Sequence, residues 1–402
     1  MIRGWCPTLY EPMETGDGLL VRVKPPDGRL GSDATRRLAA SARAHGNGII
    51  ELTGRGNLQV RGLAPEGVAP FAAAMVEAGL ASADAGAERR RNVLVSPLAG
   101  DDPDVAGETI AVATAVEAML ADDDLAGLPA KFCIAVDGGG LLPLAFGADV
   151  AVRMGQDPHP DPLPEGEGAE SPLPSGEGWV RAGLCTIVLA GALKASCSCD
   201  EILPVLHRLA FGTGGRRMRD WLREDGAARV FGNVGVTPNP SAEPRSVEPV
   251  GFHQYSGTSH GAFGLGLPFG QTDAEALAAL TAVAERFSDG FLRVSPWRAL
   301  LLGSVRARDV RHLVTAVSAL GLIADPRDPR LRVFACIGSP GCARGSVPAR
   351  ADAARLAATG FEGTLHVSGC AKGCAHPSPA TVTMVGEAGR YRIVQNDRAS
   401  AA

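Results

Sequence analysis

Apolar and polar positions repeat in two similar stretches of the chain, one near its N-terminus and one beyond its midpoint. Each stretch combines an apolar run, a helical pattern and a second apolar run: residues 17–23, 33–45 and 48–53, then residues 262–267, 272–287 and 290–295. In the second helical pattern the apolar positions share one face, and Thr272 or Asp273 can cap its start. The repeat therefore predicts two related half-domains, each built on a strand–helix–strand unit and packed about a pseudo-twofold axis.

The region between the two repeats has a different pattern. An apolar segment at 91–100, a helical pattern at 105–120 and apolar runs at 132–136 and 184–189 predict an α/β region. Residues 156–178 interrupt it with a dense mixture of Pro, Gly and Glu, which cannot build a packed core. We expect this insert to be a disordered surface loop.

These patterns predict four domains. A Pro-rich stretch at 237–249 is expected to link the two halves of the chain, and a helix is expected at 348–358. The predicted bounds are 1–90 and 250–325 for the two half-domains, 91–245 for the α/β region with its insert, and 326–402 for the last domain.

Composition and charge narrow the class of protein. The net charge of −5 over 402 residues argues against a nucleic-acid partner. The N-terminus lacks the apolar segment of a signal peptide, and no apolar run is long enough to span a bilayer. We therefore expect a cytoplasmic protein with no membrane partner. Its nine cysteines, an odd number, favour metal binding and free thiols over a disulfide framework.

Four cysteines form two pairs near the C-terminus, Cys336-x5-Cys342 and Cys370-x3-Cys374, and each pair follows a short apolar run. Four thiolates from two strand-end loops can hold a 4Fe–4S cluster. Glycines around them would allow backbone N–H groups to approach the cluster sulfides. Structural zinc usually takes tighter cysteine pairs, so a zinc site and buried free thiols are the alternatives.

Basic residues suggest a second chemical feature. If 53–61 is a strand, Arg55, Asn57, Gln59 and Arg61 share one face and offer forked donors to several carboxylates. Taken alone, such a face is more often a solvated sheet face. Because Arg91 and Lys131 each stand beside a predicted strand, we favour an anion-binding cavity.

At this point the chain resembles the sulfite and nitrite reductase superfamily. The matching motifs are the four-cysteine pattern, Thr53-x-Arg55-x-Asn57-x-Gln59, Arg91-Asn92-Val93 and Leu128-Pro129-x-Lys131-Phe132. The resemblance implies an α+β fold with duplicated ferredoxin-like half-domains plus two α/β sulfite-reductase-like domains. It also implies a 4Fe–4S cluster held by Cys336, Cys342, Cys370 and Cys374. In the reductases this cluster is coupled to siroheme, and Cys374 would be the bridging position.

Within that superfamily the chain is most similar to the precorrin-3B synthases of aerobic cobalamin biosynthesis. The similar segments are 3–7, 16–22, 46–53, 55–62, 267–270 and 296–301. This resemblance implies oxygen-dependent hydroxylation of precorrin-3A at C20, with closure of a γ-lactone. Electrons would come from NADH through a partner reductase, and a mononuclear non-haem iron would activate dioxygen.

The same resemblance implies roles for the basic residues. Arg55, Arg91 and Lys131 match catalytic basic positions, and substrate-binding residues would be Arg55, Asn57, Gln59, Arg61 and Arg298. One departure separates the chain from the reductases, because Cys133 stands where they carry a further lysine. Reduction of sulfite or nitrite needs several protons at the haem, so this loss weakens it. Siroheme-dependent sulfite or nitrite reduction therefore remains the alternative function.

Overall fold

The computed structural model describes residues 6–144, 147–154, 184–191, 193–234, 237–238 and 247–401. The predicted disordered insert at 156–178 lies outside these residues. The described strands, in chain order, are β1 (Met13–Thr15), β2 (Gly18–Val23), β3 (Arg29–Leu30), β4 (Ile49–Leu52), β5 (Leu58–Leu63), β6 (Val93–Val95), β7 (Ile134–Asp137), β8 (Val150–Arg153), β9 (Leu184–Leu189), β10 (Leu193–Ser198), β11 (Thr237–Pro238), β12 (Gly251–Gln254), β13 (His260–Gly266), β14 (Gln271–Asp273), β15 (Leu292–Val294), β16 (Ala299–Arg306), β17 (Val333–Ala335), β18 (Leu365–Ser368), β19 (Ala380–Glu387) and β20 (Arg390–Asp397).

The described helices are α1 (Ser32–His45), α2 (Pro65–Glu77), α3 (Ala85–Arg90), α4 (Thr109–Leu120), α5 (Ile202–Gly212), α6 (Met218–Asp225), α7 (Ala227–Val234), α8 (Ala274–Phe287), α9 (Val310–Ala319) and α10 (Ala349–Ala357). Residue contacts divide the chain into two units, Met1–Arg89 with Val247–Ala402 and Arg90–Ser246. We refer to them as the first and the second unit. Among the described residues, no helix has both the length and the apolar character that crossing a bilayer requires.

The first unit contains the two predicted half-domains. One sheet has the strand order β1-β2-β5-β4-β14 and the other β12-β13-β16-β15-β3. Each half-domain therefore gives one short strand to the sheet of the other: Thr272 of β14 pairs with Ile50, and Leu30 of β3 pairs with Leu292. This reciprocal exchange is what a duplicated unit with pseudo-twofold symmetry produces, so the predicted duplication is confirmed.

Matching turns lead into the two exchanged strands. Asp27 and Phe269 occupy equivalent positions in the turns Pro26–Gly28 and Pro268–Gly270, and both have left-handed φ values, 53° and 58°. Asp273 caps α8 by accepting a hydrogen bond from the Ala276 N–H at 2.8 Å. Helices α1 and α8 bury their apolar faces in one core that both half-domains share.

The cysteine-bearing region forms a further sheet of the first unit. Its order is β17-β18-β19-β20, with β17, β18 and β19 parallel and β20 antiparallel. Helix α10 covers one face, where apolar side chains such as Val333, Val367 and Ala353 are buried. The predicted helix at 348–358 is therefore confirmed as α10.

The second unit is built on the sheet β11-β10-β9-β8-β7-β6, in which β6, β7 and β8 are parallel. The predicted helix at 105–120 begins later, at Thr109. The predicted linker at 237–249 opens with strand β11, which pairs with β10. Cys185 of β9 is disulfide-bonded, whereas the other seven cysteines whose side chains the structure describes are free, as expected of a chain without a disulfide framework. The division into four domains remains a prediction.

Candidate iron–sulfur and substrate site

Two parallel neighbouring strands bring the cysteine pairs to one edge of their sheet. Cys336 follows β17 directly, and Cys370 stands two residues after the end of β18. Because the carboxyl ends of parallel strands meet at the same edge, the two loops that carry the four thiols lie side by side. We call them the first cysteine loop (336–342) and the second cysteine loop (370–374).

Glycines let the two loops approach each other closely. The Gly369 N–H donates to the Cys336 Sγ at 3.1 Å, so the backbone before the second loop already binds a thiol of the first. A Cβ at Gly369 would lie 3.1 Å from the Cα of Gly338 and 3.2 Å from that of Gly345. Those contacts are tighter than side chains normally make, so the approach requires glycine.

The four thiols interact electrostatically. Burial raises the pKa of the Cys374 thiol, the Cys336, Cys370 and Cys342 thiols raise it further, and Lys372 opposes the rise. Repulsion between converging thiolates is relieved when they coordinate a cationic centre. Cys374 is exposed, whereas the other three are half-buried.

The four thiols do not have the spacing of ligands on one zinc ion. A tetrahedral zinc with Zn–S bonds of about 2.3 Å requires sulfurs about 3.8 Å apart. Across the described residues, no three of the four cysteine sulfurs lie within 4.8 Å of one another.

The first half-domain contacts the first cysteine loop through Gly16 and Arg61. The Gly341 carbonyl accepts hydrogen bonds from the Gly16 N–H at 3.2 Å and from Arg61 Nη2 at 2.7 Å. Arg61 also forms ion pairs with Asp17 at 2.9 Å and with Glu51 at 3.3 Å, and its side chain is 5% exposed. Arg61, which the sequence predicts to bind substrate, thus donates its hydrogen bonds to acceptors of the protein itself.

The second half-domain contacts the second cysteine loop through Arg298. Its Nη2 donates to the Ala375 carbonyl at 2.8 Å, next to Cys374. Burial lowers the pKa of Arg298, Glu51 raises it and Arg350 lowers it further. Arg298 has a φ of 57°, a value that non-glycine residues rarely adopt.

The predicted strand face is only partly correct. Gln59 and Arg61 lie on β5, but Arg55 and Asn57 lie in the turn before it, because Gly56 has a left-handed φ of 63°. Thr53 closes this turn: its Oγ1 accepts from the N–H groups of Arg55 and Asn57, each at 3.2 Å. Arg55 is half-buried and Asn57 is buried.

Sequence reasoning missed a polar row that crosses the first sheet. Arg22, Gln59, Glu51 and Gln271 are paired residues of four adjacent strands. Arg22 Nη2 donates to Gln59 Oε1 at 3.0 Å, and Arg350 of α10 donates to Glu51 at 2.7 Å. The signal was available for Arg22, since it is a lone charge inside the apolar run 19–23.

Arg22 is the basic residue of this row, and it is buried, with 9% of its surface exposed. Burial lowers its pKa, and a hydrogen bond and the charge of Cys6 raise it, while the charge of Arg55 lowers it. Arg22, Arg55 and Gln59 therefore form a basic patch on the first half-domain that can receive carboxylates.

Two predicted catalytic residues lie in the second unit. Arg91 pairs with Glu117 at 3.7 Å, and the Asn92 side chain donates to the Ala130 carbonyl at 3.2 Å. Arg91 and Lys131 therefore stand at the same edge of β6 and β7. Because Arg55 belongs to the first unit, the cavity that all three would share remains a prediction.

A histidine pair lies on the sheet face opposite α10. His366 is fully buried, and its ring nitrogens have no hydrogen-bond partner among the described residues. Burial, His376 and Arg298 lower the pKa of His366 to about 4. His376 lies edge-on to it at 5.8 Å between ring centroids. Neither belongs to a group of three close ligand atoms in the described part of the chain, so no mononuclear iron site is assigned.

Comparison with known proteins places this geometry in a family. The model of the nitrite/sulfite reductase ferredoxin-like half domain matches residues 11–78 and 254–320, one match in each half-domain. A Sinorhizobium protein named precorrin-3B synthase is 33% identical over an alignment that covers all of this chain and 84% of the relative. The chain belongs to the precorrin-3B synthase family. This confirms the family inferred from the motifs.

Relatives of this precorrin-3B synthase family member extend to the reductases at lower identity. A sulfite reductase (ferredoxin) of Mycolicibacterium paratuberculosis is 24% identical over 92% of this chain and 70% of the relative. A ferredoxin–nitrite reductase of Synechococcus elongatus is 24% identical over 95% and 78%. The solved structure of the Mycobacterium tuberculosis NirA protein matches with a TM-score of 0.71 at 19% identity, covering 92% of this chain and 71% of that chain. The α+β fold with repeated half-domains is thereby confirmed.

Proposed function

We propose that this protein is a precorrin-3B synthase, an oxidoreductase that hydroxylates precorrin-3A at C20 with dioxygen and closes a γ-lactone with the ring-A acetate. The observation that carries the proposal is the 33% identity over the whole chain to a protein of that name. The reductases that match over at least 92% of this chain are 24% identical or less.

The basic patch supports a polycarboxylate substrate. Arg55 is close enough for its charge to lower the pKa of Arg22, a repulsion that a bound carboxylate would relieve. Gln59 adds an amide beside them and already accepts from Arg22. We assign these residues to binding the acetate and propionate groups of precorrin-3A. Asn57, Arg91 and Lys131 remain further candidates from the family resemblance.

The four cysteines support a redox cofactor. Cys336, Cys342, Cys370 and Cys374 would hold a 4Fe–4S cluster, which passes single electrons when bound. We infer that these electrons come from NADH through a partner reductase. Mononuclear non-haem iron remains the expected oxygen-activating centre, without assigned ligands.

Siroheme-dependent reduction of sulfite or nitrite is the alternative, since the same cysteine pattern serves that chemistry. The residue Cys133 argues against siroheme-dependent reduction. This residue is 4% exposed, and its N–H donates to Asp149 Oδ2 at 3.1 Å. A buried thiol at this position cannot deliver the protons that a lysine would.

Anaerobic purification followed by spectroscopy and turnover tests the proposal. We expect about four irons and four sulfides for the cluster, no siroheme Soret band, and conversion of precorrin-3A to a product with one added oxygen atom that is labelled by isotopic dioxygen. NADH and a ferredoxin-type reductase system would supply electrons. Tightly bound siroheme together with sulfite or nitrite turnover would establish the alternative instead.

A further inference from the structure

Each half-domain places one arginine against one cysteine loop: Arg61 is buried and Arg298 is half-buried. Arg61 of the first half-domain donates to the Gly341 carbonyl at 2.7 Å, one residue before Cys342. Arg298 of the second half-domain donates to the Ala375 carbonyl at 2.8 Å, one residue after Cys374. The duplicated scaffold thus holds both loops by the same kind of contact, a guanidinium on a backbone oxygen beside a thiol.

We propose that Arg61 and Arg298 are positioning residues of the iron–sulfur cluster, and that Arg298 also raises its reduction potential. This inference rests on the proposed function, because it requires the cluster. It differs from the substrate-binding role that the sequence predicts for both residues.

Arg61 is held in a fixed orientation by acids on two sides. Its Nε and Nη2 donate to the two carboxylate oxygens of Asp17 at 3.0 and 2.9 Å, and its Nη1 donates to Glu51 at 3.3 Å. Nη2 therefore reaches Gly341 from a side chain that cannot rotate without breaking these bonds. A lysine has no planar fork and cannot make this set of contacts.

Glu51 connects this contact to the basic patch. The same carboxylate oxygen that Arg61 contacts also accepts from Gln59 Nε2 at 3.4 Å. Arg61 therefore contacts the first cysteine loop directly and is linked to the basic patch through Glu51. In this position it fixes the distance between the first cysteine loop and the basic patch without contacting substrate.

Arg298 is held by its backbone and stem rather than by an acid. Its stem packs on Gly270, where an added Cβ would come within 2.9 Å of Arg298 Cδ. Among the hydrogen bonds of the described residues, Arg298 donates to the Ala375 carbonyl and to no carboxylate, and Glu51 acts on it through its charge alone. A positive charge bonded to the backbone beside a cluster ligand favours the reduced, more negative state of the cluster.

The test uses Arg61→Gln and Arg298→Gln, with Arg293→Gln as the matched control. Arg293 is more deeply buried than either, at 1% exposure, and its guanidinium pairs with Asp289. Cluster content, the EPR signal of the reduced cluster, its midpoint potential and its rate of loss to a chelator are measured in each holoenzyme. Binding of precorrin-3A is measured in parallel.

We expect both test variants to lose the cluster roughly ten-fold faster than the control, with altered EPR spectra. Arg298→Gln should also have a lower midpoint potential, and Arg298→Lys should restore most of it because the charge remains. Precorrin-3A affinity should change less than about three-fold, since neither residue contacts substrate.

Two outcomes would overturn the inference. If both glutamine variants keep the wild-type EPR spectrum, potential and rate of cluster loss while precorrin-3A affinity falls, the arginines are substrate-binding residues. Arg61→Lys serves where Arg61→Gln does not fold, because lysine cannot make the forked contacts of Arg61. Wild-type protein without any cluster would instead overturn the proposed function, and this inference with it.

Discussion

Replacing Gly16 by alanine tests how the first cysteine loop docks on the first half-domain. An added Cβ would lie 2.2 Å from the Pro340 carbonyl oxygen and 3.1 Å from the Cys342 nitrogen. Both neighbours are backbone atoms, so they cannot rotate away as a flexible side chain can. The loop must therefore move by roughly 1 Å to reach an ordinary contact distance.

That movement has a cost that can be worked out. Overpacking costs about 1–3 kcal/mol, and losing the hydrogen bond from Gly16 N–H to the Gly341 carbonyl adds about 0.5–1.5 kcal/mol. The sum, about 1.5–4.5 kcal/mol, is a change of roughly 10- to 2000-fold in the equilibrium between docked and undocked loop. For a unit of this size it lowers the melting temperature by roughly 3–18 °C.

Differential scanning calorimetry and iron content of the purified holoenzyme provide the assay. Gly107→Ala is the matched control, because a Cβ there meets nothing within 4 Å and its φ is not left-handed. We expect it to change the stability by less than about 1 kcal/mol. If Gly16→Ala melts and retains iron like the Gly107 variant, the docking of this loop is misassigned.

Three further predictions follow from single contacts. Cys342→Ser should lower cluster iron and sulfide several-fold while far-UV circular dichroism stays unchanged; full retention of both elements would remove Cys342 from the ligand set. Glu51→Gln should destabilise the protein by about 3–5 kcal/mol in urea unfolding, since Arg61 and Arg350 both lose their buried acid. A change below about 1 kcal/mol would contradict this. Burial raises the pKa of Asp289, but the hydrogen bond and charge of Arg293 outweigh it, so the pKa is lowered. A lowered pKa contributes stability above the unfolded value of about 3.9 that is lost as pH falls through the folded value, so Asp289→Asn should flatten the loss of stability below about pH 4.

Local patterns predicted most of the architecture. The repeated apolar and helical stretches correspond to strands and helices of both half-domains, and Asp273 caps α8 as expected. Such features depend on residues close in sequence, which is why they can be read without a structure. The exchange of β3 and β14 between the sheets could not be predicted from the sequence, because strands of two or three residues are too short to show a periodic pattern.

The candidate site was likewise predicted in part from the sequence and missed in part. The two cysteine pairs predicted the thiol set, because loop spacing and glycine content are local. The turn at Gly56 was missed, so Arg55 was placed on a strand. Arg22 was missed because its importance comes from Gln59 and Cys6, which are distant in sequence.

The sequence by itself determined the duplicated half-domains, the four-cysteine pattern and the family. The tertiary structure alone decided which acceptors the basic residues meet. Arg61 and Arg298 look like members of one basic set in sequence, but packing turns both toward carbonyls of the cysteine loops. The physical reason is that a guanidinium's role depends on the acceptors within hydrogen-bond reach, and those acceptors lie 280 and 77 residues away along the chain.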